Sequence, residues 1–116
     1  MIITDEKKLK DIQAEFREKF PNLKLEFYKK THEAGEGNPD REKLSPDETI
    51  KAVRTVHTSG DLSIDGHQKV STLETNFQEM YGLNVQVFRH SNGIWLQTTA
   101  TDHWTLAEQN KKGEPH

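Results

Sequence analysis

The sequence predicts an α+β fold: an antiparallel-rich sheet of about five strands with two amphipathic helices on one face. Three observations carry that expectation. Apolar residues recur at helical spacing in two places, each run passes into strict alternation, and an Asn-Gly pair separates two alternating stretches.

The first helix is expected over residues 5–20. Leu9, Ile12, Phe16 and Phe20 fall three and four apart, one apolar stripe among charged residues. Thr4 or Asp5 is placed to cap its start, and Pro21 ends it. "LKLEF" then alternates, with Leu23, Leu25 and Phe27 on one side of a strand and Lys24, Glu26 and Tyr28 on the other. A polar hairpin loop is expected at residues 31–40, solvated, mobile and open to proteolysis. Its Glu33, Glu36, Asn38 and Asp40 are oxygen donors, but the stretch departs from the twelve-residue calcium pattern. "SPDETIKAVR" reads as a short helix with Ser45 as cap, Pro46 at the first helical position and Glu48 completing a capping box. The β-branched content of residues 47–56 (Thr49, Ile50, Val53, Thr55, Val56) suits a strand as well, so both assignments stay open.

After a turn at Ser59-Gly60-Asp61, a strand is expected over residues 62–64. The second helix follows, with Ser71 and Glu74 as a capping box and Val70, Leu73, Phe77 and Tyr81 as its stripe. Gly82 stops it, and "LNVQVF" alternates. Asn92-Gly93 then predicts a tight hairpin, because both residues tolerate positive φ. The strand returns over residues 94–99, and Thr105 with Glu108 caps a terminal helix that stops before Gly113.

These elements suggest a duplicated plan within one domain, residues 1–116. The second helix stripe follows the first at an offset of 61 and the strands at 60, giving possible units at 5–56 and 69–110.

Composition removes several function classes. The chain has no cysteine, so disulfides, thiolate metal sites and cysteine nucleophiles are excluded. Leu, Ile, Val and Phe supply 25 of 116 residues, just above the ~20% at which disorder becomes the better expectation. A thin-cored globular domain is implied. The net charge of −3 argues against general nucleic-acid binding. No apolar run approaches the ~18 residues that span a bilayer, and the N-terminus lacks the pattern of a signal peptide. A cytoplasmic setting without membrane contact is the expectation.

If Leu83, Val85, Val87 and Leu96 face the helices, the opposite face carries Asn84, Gln86, Phe88, Trp95, Gln97 and Thr99, joined by Lys24, Glu26 and Tyr28. Polar residues there follow from one-sided burial. Phe88 and Trp95 do not. They read as a cross-strand aromatic pair, as a surface for a protein partner or a second copy, or as a platform for single-stranded nucleic acid. The partner surface is assigned to Tyr28, Gln86, Phe88, Trp95 and Gln97.

The segment Gly82 to Asn110, "GLNVQVFRHSNGIWLQTTATDHWTLAEQN", resembles the C-terminal signature of a small bacterial α+β family to which no reaction is assigned. The shared pattern is G-L-x-V-Q-V-F-R, a tight turn, W-L-x-T-T-x-T-D, then W-T-L-x-x-Q-N. It covers about a quarter of the chain closely, with a looser match over Ser71 to Tyr81. The resemblance implies a fold and a bacterial cytoplasmic setting, and no reaction.

The case for an enzyme is the weaker one. The six histidines are scattered, and none forms the H-x-x-x-H spacing of a helical metal site. No glycine-rich phosphate cradle is present, so neither metal nor cofactor is assigned. Asp102 beside His103 is an acid–imidazole pair without a positioned nucleophile. The sequence therefore favours a non-enzymatic interaction module, a homodimer included. The alternative is a small-ligand or hydrolytic site where strand meets helix, using Arg89, Thr99, Thr101, Asp102, His103 and Trp104. A single-stranded nucleic-acid binder ranks third.

Overall fold

A computed structural model describes residues 1–29 and 42–115. The expected loop at 31–40, with its oxygen donors, lies outside the described residues. Among the described residues are four helices and five strands, the strands in two antiparallel sheets. The α+β architecture is the expected one.

The elements are β1 (Ile2–Ile3), α1 (Leu9–Lys19), β2 (Leu23–Tyr28), α2 (Ile50–Val53), β3 (Leu62–Ser63), α3 (Val70–Tyr81), β4 (Asn84–Ser91), β5 (Ile94–Gln97) and α4 (Leu106–Lys112). β1 pairs with β3, while β2, β4 and β5 form the main sheet in that order. Lys43 bridges Tyr28, and the Leu44 amide donates to the Phe27 carbonyl at 2.8 Å, so the chain also returns along the outer edge of β2. The helical stripes behave as their spacing requires. Leu9, Ile12 and Phe16 from α1 and Val70, Leu73, Phe77 and Tyr81 from α3 are buried with Leu25, Phe27, Val85 and Val87 from the sheet. Phe77 meets Phe27 edge-on, ring centres 5.7 Å apart.

The helix starts differ from expectation, and the reason is tertiary. α1 begins at Leu9 behind Lys8, α3 at Val70 behind Lys69, and neither has a side-chain cap. Thr4 and Asp5 do not cap α1, and Ser71 lies inside α3 rather than before it. Instead the first-turn amides, which have no acceptor within their own helix, go to a partner turn. Leu9 and Lys10 donate to the carbonyls of Glu48 and Pro46, while Ile50 and Lys51 donate back to Lys7 and Asp5. Val70 and Ser71 donate to Trp104 and Asp102, while Leu106 and Ala107 donate back to Gln68 and Gly66. Each long helix is thus clasped to a short one, start against start. The two clasps have the same form, with α1 and α3 atoms 61 positions apart and α2 and α4 atoms 56 apart.

The first clasp also settles residues 47–56. They hold a single helical turn, Ile50–Val53, with Thr49 as cap, its hydroxyl accepting from Ala52. Ser45 is not the cap; its hydroxyl accepts from Asp47 within the preceding turn. The Thr105–Glu108 box is present as expected, in both directions.

The hairpin forms at Asn92-Gly93 with φ of 48° and 84°. Gly82 ends α3 at φ 64°, and a Cβ there would collide with the Thr55 hydroxyl. Gly113 ends α4 at an ordinary φ for a different reason: a Cβ would sit 2.9 Å from that of Asn22.

Candidate functional site

Register decides which side chains share the polar face of the sheet. Lys24 pairs with Phe88 and Phe88 with Gln97, while His90 pairs with Trp95, Glu26 with Gln86 and Tyr28 with Asn84. Side chains alternate along a strand, so all of these lie on one face, opposite Leu25, Val85 and Val87. Thr99 does not join them. The strand stops at Gln97 and Thr99 enters a 3₁₀ turn ending at Thr101. Leu96 lies on the helix side as expected, yet it is 39% exposed, because β5 is an edge strand.

Much of this face is interior. Tyr28 and Gln86 are fully buried and Phe88 retains 7% exposure, so these three expected contact residues are not surface. Trp95 and Gln97 are half-buried. Phe88 and Trp95 are diagonal neighbours rather than directly opposed. The Lys24 ammonium lies 5.0 Å from the Phe88 ring centre and 5.3 Å from that of Trp95. The Arg17 guanidinium stands 5.1 Å from Trp95, and the His90 ring meets it edge-on at 5.2 Å. Cations over aromatic faces attract electrostatically. The aromatic end of the face is therefore cationic, with the Glu26 carboxylate beside it, held by Gln13 at 3.2 Å and Lys24 at 3.9 Å.

The strand-to-helix junction is built mainly of structural bonds. The Arg89 guanidinium donates to the Gln109 carbonyl oxygen at 2.7 Å and lies 5.8 Å from the Trp104 ring centre. The Gln109 amide nitrogen donates to the Thr101 carbonyl at 2.8 Å and its hydroxyl at 2.7 Å. The Asp102 and Trp104 carbonyls receive the first amides of α3 in the clasp. Asn110 ties α4 to Asn22, accepting from its backbone amide at 2.9 Å. Gln109 and Asn110 were not selected by sequence reasoning, since polar residues on a short helix read as surface.

Two groups at the junction keep chemical interest. Burial pushes the Glu74 carboxyl up to about 7, and the Asp102 carboxylate adds to the effect. The group on which the Asp102 charge acts is thus another acid, on α3. His103 is exposed, and its influence falls on Glu108, whose carboxyl is held down mainly by the Thr105 backbone amide and hydroxyl. The adjacent cavity of about 410 Å³ is lined by Trp104, Glu108, Lys111 and Lys112, and contains neither Asp102 nor His103. A cavity of about 460 Å³ lies beyond Arg89, between the β4–β5 hairpin and the end of α4. Among the described residues no group of three or more His, Asp or Glu is placed to hold a metal ion. No described helix is long and apolar enough to cross a membrane.

Compared with protein-family models, with curated protein sequences and with solved structures, the chain finds no match.

Proposed function

We propose that the chain is a non-enzymatic interaction module whose contact surface is the Trp95 end of the sheet. The observation that supports this most is the half-buried Trp95 ring with Arg17, Lys24 and His90 gathered within 5.3 Å of its centre. Tryptophan and arginine dominate the energetics of protein contacts, and this cluster adjoins an edge strand. The junction residues support a small-ligand site less well, because the Arg89 and Thr101 side chains already bond Gln109 of α4, and the adjacent cavity contains neither Asp102 nor His103.

Trp95→Ala tests the reading. Capture from an extract of the native host, quantified beside sedimentation of the pure protein, is expected to lose a defined protein set with the variant. Identical capture by both proteins, with both strictly monomeric, sinks it.

We also infer that the two halves descend from one unit. Supporting this are the two clasps of the same form and the pairing of Glu26 with Gln86, its counterpart 60 positions on. Matched amide protection at corresponding clasp positions is what the inference expects.

A further inference from the structure

We propose that the outer edge of β5 accepts an extended segment of another protein as an added strand, acidic on one side and aliphatic on the other. This rests on the interaction reading above and names its partner.

β5 is the last strand of its sheet, and among the described residues no strand pairs with its far side. A two-residue hairpin makes Ser91 and Ile94 a hydrogen-bonded pair. Bonded and non-bonded pairs alternate from there, so Arg89–Leu96 is bonded and His90–Trp95 is not. The amide of Thr98 donating to the Val87 carbonyl at 3.2 Å continues the same phase. Trp95 therefore directs its backbone N–H and C=O outward, to the edge. Edges of this kind are commonly blunted by lysine or proline; "IWLQ" has neither.

The two sides of that edge differ chemically. On the helix side, Ile94 is 59% exposed and Leu96 39%, two aliphatic side chains on one short strand. On the other side stand Trp95, Arg17 and Lys24, a cationic cluster on a chain of net charge −3. An added strand has the same alternation as β5. Its aliphatic residues fall beside Ile94 and Leu96, and its Asp or Glu residues fall beside Arg17 and Lys24. A second copy fits less well. In an edge-to-edge pair both Trp95 faces lie on the same side, which sets the two cationic clusters next to each other.

The experiment titrates short peptides alternating Asp or Glu with Val or Ile into the isotope-labelled full chain, followed by backbone NMR. The expected result is saturable shifts at the Trp95 and Leu96 amides. Binding should weaken about tenfold or more for a peptide with Lys in place of the acids, for Arg17→Glu/Lys24→Glu, and for Leu96→Lys. These side chains are at least partly exposed, so the variants retain the fold, which the same spectra verify. Absence of shifts at β5 overturns the proposal, as does equal binding of the lysine peptide. Concentration-dependent dimerisation abolished by Leu96→Lys also overturns it, in favour of a second copy. If Trp95→Ala abolishes partner capture while the acidic peptides do not bind, the partner's chemistry is wrong and the interaction reading stands. If Trp95→Ala changes nothing, that reading fails as well.

Discussion

Gln109 shows how a residue whose local sequence names no partner organises its surroundings. Its side chain is fully buried, accepts from Arg89 and donates twice to Thr101, so one amide joins β4, the 3₁₀ turn and α4. Replacing it by leucine leaves a guanidinium and a carbonyl without their partner. Gln109→Leu is expected to cost about 2–3 kcal/mol, read as a lower urea midpoint at unchanged slope. His103→Ala, at an exposed position, is the control and should stay within about 0.5 kcal/mol. The contrast also explains what was legible. Thr105 and Glu108 are three residues apart and announce their reciprocal cap, whereas the partners of Gln109 lie 8 and 20 positions away. A sequence displays local bonds; a distant partner leaves no such trace.

At the scale of elements, helix bodies were readable and helix starts were not. The stripes of α1 and α3 follow from the period of the helix, and Asn92-Gly93 forms the hairpin its backbone freedom allows. The Ser71–Glu74 pattern has the spacing of a capping box, but a second chain segment supplies the carbonyls and removes the need for one. Glu74 is thereby left on α3, largely out of water and near Asp102. Its unfolded value is 4.5 and its folded value about 7, so the folded state holds the proton more tightly. The associated stability is whole below pH 4.5 and is lost as pH rises through 7, about 3 kcal/mol in all. Glu74→Gln should flatten that slope and raise stability on the alkaline side of it. Denaturation midpoints of both proteins from acid to mildly alkaline pH measure the difference; parallel curves would count against this account.

For the whole molecule, strand order was the part least accessible from sequence. β4 lies between β2 and β5, and the β1–β3 pair joins residues about sixty apart in the chain. The alternation named the two faces of the sheet correctly, except at Thr99, which lies beyond the end of β5. It did not foresee that Tyr28, Gln86 and Phe88 would be buried on the polar one, which leaves Trp95 as the aromatic with surface. The clasps act at this scale too. First-turn helix amides ordinarily exchange freely with solvent, since nothing in the helix accepts from them. Here Leu9, Lys10, Val70 and Ser71 are expected to exchange as slowly as the central β4 amides of Gln86 and Phe88, which face β2. Hydrogen exchange of the native protein measures this, and fast exchange at these four would show that the clasps are loose.

The placement of β4 bears on how the chain acquires its structure during vectorial synthesis. The acceptors and donors of the first clasp are complete once residue 51 has emerged, so α1 can be sealed early. The strand that pairs with β2 along its inner edge is made only with residues 84–91. Until then the aliphatic side of β2 lacks Val85 and Val87 beside it, and α1 rests on half a floor. A nascent chain halted before β4 therefore exposes Leu25 and Phe27 to whatever chaperones meet it at the ribosome.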